Sequence, residues 1–126
     1  MRYSIEKSEK YTKFTLDEDK LDTLIAPNLK TEFISLYQSG TANLILDLSN
    51  TKYVDSSGLS ALLTAHRQSN QAEGHLVLVG VNDHVMKLLT ISKLDSVFVC
   101  LPTVEEAVDS VFLHEIERDL KAEGNQ

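Results

Sequence analysis

Leu44-Ile45-Leu46-Asp47-Leu48 is a run in which four of the five residues are large and apolar. A strand with apolar side chains on both faces must be covered on both faces, which is the condition of a parallel strand inside an α/β sheet. The run leads through a short polar connection to Asp55-Ser56-Ser57-Gly58, where a helix begins. A second apolar run, His75–Val79, is closed by Gly80 and again precedes a helical pattern. Two such units in succession confine the chain to a sheet that is parallel in its crossover part, with helices packed on it.

The other elements extend this frame. Tyr3 and Ile5, then Thr12, Phe14 and Leu16, alternate with polar neighbours, so residues 3–7 and 11–16 read as strands. Ser8-Glu9-Lys10 forms the turn between them, making an N-terminal hairpin. Asp17-Glu18-Asp19-Lys20 is a polar break. A helix follows from residue 24 or 27 to Gln38, with Ile25, Leu29, Phe33 and Leu36 or Tyr37 in one stripe. Pro27 fits only its first turn, where a missing N–H costs least, and Ser39-Gly40 stops it.

The helix at Gly58 runs to about Gln71, with Leu59, Leu62, Leu63 and His66 on one side, and Glu73-Gly74 ends it. Asn82 or Asp83 can cap a short helix through Leu89, with Val85, Leu88 and Leu89 inward. Val97–Val99 is a last short strand, broken by Pro102. Thr103 with Glu106 three residues on gives a capping-box start to the final helix. Val104, Ala107, Val108, Val111, Phe112, Leu113, Ile116 and Leu120 supply its broad apolar side. The order is β-β-α-β-α-β-α-β-α: a single α/β domain with a mixed sheet.

Composition excludes several classes. At 42% hydrophobic and 25% charged, 126 residues suit one soluble domain. The longest apolar runs fall far short of the ~20 residues that cross a bilayer, and the N-terminus lacks the apolar block of a secretory signal. One cysteine, Cys100, makes no internal disulfide, so a cytoplasmic location is expected. The net charge is −7. Residues 103–126 hold seven acids and two bases, so most of that charge lies at the C-terminal end. Scattered bases and a negative balance do not make a nucleic-acid surface.

Catalytic and cofactor chemistry is also poorly supplied. Five dispersed glycines assemble neither a P-loop nor a dinucleotide fingerprint. His66, His75, His84 and His114 lack metal-ligand spacing. Cys100 reads as a small hydrophobe in an apolar setting, and His66 as a core-edge residue rather than a base. A serine nucleophile at Ser57 would ordinarily sit in Gly-x-Ser-x-Gly; here only Gly58 is in place, and the neighbouring Asp55 does not replace an imidazole base. No enzyme activity, metal or cofactor is expected. What remains at Asp55-Ser56-Ser57-Gly58 is a capped helix N-terminus with spare hydroxyls, and capping without further function is itself a complete reading of these residues.

The stretch Leu44-Ile-Leu-Asp-Leu-Ser-Asn-Thr-Lys-Tyr-Val-Asp-Ser-Ser-Gly-Leu59 resembles the signature of the STAS domain family, and within it the bacterial anti-sigma factor antagonists. The resemblance extends over nearly the whole chain, including Val85-Met-Lys-Leu-Leu-Thr-Ile-Ser-Lys-Leu94 before the last strand. It implies a STAS domain over residues 1–121 and a frayed tail over 122–126. It implies that the second serine of Asp-Ser-Ser-Gly, Ser57, accepts phosphate, with Asp22, Asp55, Ser56 and Gly58 on the partner-facing side; Gly58 would leave room for a kinase active site and relieve the turn. In family members a Gly-Glu-Leu-Asp-like segment precedes the first helix. Here it reads Asp19-Lys20-Leu21-Asp22, keeping the leucine and aspartate and losing the glycine and glutamate.

The partners implied are an anti-sigma factor that is itself a serine kinase, bound by the unmodified protein and released on phosphorylation, and a serine phosphatase that restores binding. Two alternatives share the sequence: a non-switching STAS scaffold in a transport or stress-signalling complex, and a receiver-like domain phosphorylated on Asp47 or Asp55. Oligomeric state is open, because the acidic final helix can pack on the domain, reach a partner or support a dimer.

Overall fold

The computed structural model describes residues 1–124. Strands β1 (Tyr3–Lys7), β2 (Thr12–Leu16), β4 (Leu44–Asp47), β6 (Leu76–Val79) and β7 (Val99–Leu101) form one sheet in the order β1-β2-β4-β6-β7. β1 and β2 are antiparallel, and every other neighbouring pair is parallel. The helices are α1 (Ala26–Gln38), α2 (Ser56–Gln71), α3 (Asp83–Ile91) and α4 (Val104–Gly124). A separate two-stranded ladder joins β3 (Lys20–Leu21) to β5 (Tyr53–Val54) in parallel. The mixed α/β order expected from the sequence is the order observed, with β3 and β5 added.

The two-faced apolar strands explain the layers. Leu44 and Leu46 of β4, with Leu76 and Leu78 of β6, face the larger core, shared with α1, α2 and α3. Ile45, Val77 and Val79 face the other way, against Ala107 and Val111 of α4. One side of the sheet therefore carries three helices and the other carries one. Phe14 stacks on Tyr3 at 5.0 Å and meets Phe33 of α1 edge-on at 5.5 Å, which ties the hairpin to the first helix. His66 packs edge-on against Phe98 at 5.7 Å, as a core-edge residue would. Half-buried Cys100 has its thiol pushed up by desolvation, the opposite of what a nucleophile needs.

Three local expectations shift. The last strand is Val99–Leu101 rather than Val97–Val99. The carbonyl of Leu94 accepts from the amides of Val97 and Phe98, so these residues form a turn that drops Phe98 into the core, and the strand starts afterwards. α2 runs to Gln71 and is closed at Glu73-Gly74 as expected, but Glu73, rather than the glycine, takes the left-handed region (φ 54°). Gly74 is needed for another reason: a Cβ there would run into the carbonyl of Ala42. The third shift concerns α4. Thr103 Oγ1 accepts from Glu106 N–H at 3.1 Å, as a cap should, but only Ala107 and Val111 are buried. Phe112, Leu113, Ile116 and Leu120 point to solvent. The helix continues through residues 122–124 of the segment expected to fray; Asn125 and Gln126 lie outside the described residues.

α4 is also held through a histidine pair. His75 stacks on His114 at 4.9 Å, and its Nε2 lies 2.7 Å from Ser110 Oγ. Burial first, then the neighbouring His114, hold the His75 imidazole below its ordinary value of 6.5, while Glu117 pulls the other way. The unfolded chain then binds more protons than the native one once the pH drops below that ordinary value, so stability is full above it and falls as the pH descends toward the lowered native value. Urea unfolding midpoints between about pH 5 and 7 should show this slope in the native sequence and a flatter one in His75→Gln.

Candidate functional site

The site is built where β5 hands over to α2. Asp55 is the N-cap of α2: its Oδ1 accepts from Gly58 N–H at 2.9 Å. The first turn leaves amide groups without intrahelical partners, which gives this end of the helix its positive character. Ser56 is exposed, and Ser57, one residue later, is partly exposed. Capping and presentation are thus divided among neighbours, with Asp55 holding the helix and the serines left outward.

The neighbouring wall comes from the segment between β2 and α1. The Asp19 carbonyl accepts from the amides of Lys52 and Tyr53, and buried Thr51 donates its hydroxyl to the Glu18 carbonyl at 2.9 Å. The β3–β5 ladder continues this seam, and Asp55 N–H donates to the Leu21 carbonyl. Two residues beyond β3, Thr23 is brought against the start of α2. Its Oγ1 lies 3.1 Å from Ser57 Oγ and donates to Asp55 Oδ2 at 3.4 Å, and its backbone N–H reaches the same carboxylate oxygen at 3.3 Å. With the Thr23 proton directed at Asp55, Ser57 donates to Thr23 and keeps its oxygen lone pairs for the outside.

Asp22 is placed differently. Its Oδ1 accepts from Leu24 N–H at 3.0 Å and its carbonyl accepts from Ile25 and Ala26. It shapes the turn that presents Thr23, while Thr23 makes the contact with Ser57. Gly58 is buried, and a Cβ there would collide with the carbonyl of Leu21 and come within 2.7 Å of its Cγ. Its lack of a side chain lets α2 sit against β3.

Two surroundings complete the site. On one side Thr23, Ala26, Pro27, Lys30, Ser56 and Ser57 line a shallow depression of about 260 Å³. On the other, Tyr53, Asp55, Ser56, His84, Lys87 and Ile91 border a groove of about 440 Å³. Tyr53 stacks on His84 at 5.9 Å. Leu24 and Ile91 are among the most exposed large apolar side chains, at 84% and 73%. Ser56 borders both depressions and Ser57 the first, with exposed Leu24 adjoining Thr23 in the chain and Ile91 on the rim of the second.

Sequence reasoning located Ser57, Ser56 and Asp55 together and missed Thr23, Leu24, Tyr53 and Ile91. The available signal was Leu24, a large apolar residue off the stripe of α1. Among the described residues no three His, Cys, Asp or Glu side chains are grouped to hold a metal, and no helix is long and apolar enough to cross a membrane. Replacing Asp55 with alanine removes the cap and the Thr23 anchor together. Its expected cost is about 1–2 kcal/mol in denaturant unfolding; Asp55→Asn should restore only the cap share, because its amide oxygen can accept from Gly58 N–H while its NH2 cannot accept from Thr23.

The family model described as STAS domain matches residues 2–107. The anti-sigma-B factor antagonist of Staphylococcus aureus (strain NCTC 8325 / PS 47) is 31% identical over 75 residues, covering 60% of this chain and 69% of the relative. The anti-sigma factor antagonist SpoIIAA in its unphosphorylated form superimposes with a TM-score of 0.75 at 20% identity, over 87% of this chain and 96% of that one. SpoIIAA of Bacillus in its phosphorylated form gives a TM-score of 0.69 at 20% identity, over 87% and 99%. At that identity the two superpositions speak for the fold alone.

Proposed function

The chain belongs to the STAS domain family, and from that premise we propose that it is an anti-sigma factor antagonist switched by phosphorylation of Ser57. Unmodified, it binds an anti-sigma factor with serine kinase activity through the surface around Ser57 and so frees a sigma factor for transcription. Phosphorylated, it lets go, and a serine phosphatase returns it to the binding form. It works in the cytoplasm, by binding rather than turnover, and needs no cofactor. Residues 1–121 act as the domain. Ser56, Asp55 and the turn made by Asp22 belong to the partner-facing side, with Gly58 beneath them.

The observation that carries this reading is the position of Ser57: a partly exposed hydroxyl in the first turn of α2, opening into a shallow depression, with the exposed side chains of Leu24 and Ile91 on the segments that border the site. A phosphate adds a charge of about −1.5 to −2 at neutral pH. The N-terminal amides of α2, and Lys30 in the same depression, tolerate that charge within the fold. The Asp55 carboxylate, joined to Ser57 through Thr23, repels it. An apolar partner surface laid over Leu24 and Ile91 would then have to bury a dianion, and the complex separates without any rearrangement of the sheet.

The test is a titration of the purified chain with candidate anti-sigma factors. Leu24→Asp and Ile91→Asp, each placing a carboxylate on the proposed contact surface, are expected to weaken binding at least tenfold. Tyr3→Ser, distant on the sheet edge, should leave affinity unchanged. Equal binding by all three variants would remove the surface around Ser57 from the account.

A further inference from the structure

The outer face of α4 is a second candidate interface, separate from the surface around Ser57. Leu113, Ile116 and Leu120 recur at i, i+3 and i+7, with Phe112 beside them, and the four are 44–61% exposed. They lie opposite Ala107 and Val111, which seat the helix on the sheet. All four lie beyond residue 107, where the family match ends, so this stripe is not part of the shared domain pattern.

The charges around the stripe select its occupant. Glu105, Glu106, Asp109, Glu117, Asp119 and Glu123 are all exposed on the same helix. The two bases of α4, Arg118 and Lys121, line the cleft between α4 and the Asn70–Gly74 turn together with Glu117, and Arg118 lies 3.4 Å from Glu115. Two copies of α4 laid face to face would set acid against acid around a modest apolar strip. A helix with its own leucine stripe flanked by lysines or arginines would bury the apolar side chains and neutralise the rim at the same time.

We propose that the outer face of α4 docks a basic amphipathic helix of another protein. The two interfaces then lie on different elements, so the chain can hold this partner whatever the state of Ser57.

The experiment uses the whole chain and two fluorescent 18-residue helical peptides. Both carry leucines at i, i+3 and i+7; one has lysines in the flanking positions and the other glutamates. Anisotropy titrations at 150 mM salt should show the lysine peptide binding at least tenfold tighter than the glutamate peptide. A Leu113→Ser/Ile116→Ser/Leu120→Ser variant should lose that binding tenfold or more, with an unchanged melting temperature. Glu117→Lys/Asp119→Lys should lose it as well, whereas Glu6→Lys/Glu9→Lys on the hairpin should keep it. Equal affinity for both peptides, or loss in the hairpin variant as large as in the α4 variants, would overturn the proposal in favour of unspecific attraction to an acidic protein. A concentration-dependent dimer in sedimentation that the triple serine variant abolishes would overturn it in favour of a second copy.

Discussion

Ser57→Asp is expected to bind the anti-sigma factor about a hundredfold more weakly than the unmodified chain, and Ser57→Ala to bind within a few-fold of it. The magnitude follows from the position of the hydroxyl. A carboxylate at residue 57 would stand beside Thr23, whose own hydroxyl already serves Asp55. Two like charges would share one donor and face an apolar partner surface over Leu24 and Ile91. A loss of ~3 kcal/mol, about two powers of ten in affinity, is modest for burying one unpaired charge. The alanine variant loses only the Thr23 hydrogen bond, worth about 1 kcal/mol to the fold and little to the interface. Isothermal titration of both variants against the same anti-sigma factor reads the difference. If the two bind alike, the chain is a non-switching interaction subunit.

Gly58→Ala should damage both the fold and the site. By helix propensity alone it ought to help, since alanine in a helix is favoured over glycine by about 1 kcal/mol. The Cβ has nowhere to go, however: it meets the carbonyl of Leu21, with the Leu21 carbonyl carbon 3.0 Å away and its Cγ at 2.7 Å. Backbone rather than a flexible side chain has to give, so β3 moves away from α2. Overpacking of this kind costs about 1–3 kcal/mol. The displacement also carries Thr23 away from Ser57 and Asp55, so binding of an anti-sigma factor through the proposed surface should weaken along with stability. Urea denaturation should register a net loss of about 1 kcal/mol, the overpacking cost less the propensity gain. Gly124→Ala, where a Cβ meets nothing within 4 Å, should be silent.

What the sequence revealed depended on whether the signal was local. Leu44–Leu48 announces a strand buried on both sides because the demand for cover is written in five consecutive residues. Asp55 announces a cap for the same reason. Lys20-Leu21 and Tyr53-Val54 announce nothing: two-residue strands have no alternation to read, and each exists only because the other lies beside it. Thr23 was invisible for the same cause, since a threonine in a loop gains meaning only when the β3–β5 seam presses it against α2. Gly58 was legible as a glycine, but its reason lies in Leu21, thirty-seven positions earlier. On α4, the eight apolar residues read as one broad side divide in the fold: Ala107 and Val111, with Val104 and Val108 packed beside them, meet the sheet, while Phe112, Leu113, Ile116 and Leu120 face solvent, a split that depends on where the sheet lies.

The central claim, that Ser57 carries the phosphate that releases the partner, is tested most directly on the complex itself. The chain bound to its anti-sigma factor kinase is given ATP, and native mass spectrometry follows the complex while peptide mapping locates the phosphate. One phosphate is expected, on Ser57, with release of the partner in step with its appearance. Phosphate on another residue, or a complex that stays intact with Ser57 phosphorylated, would contradict it.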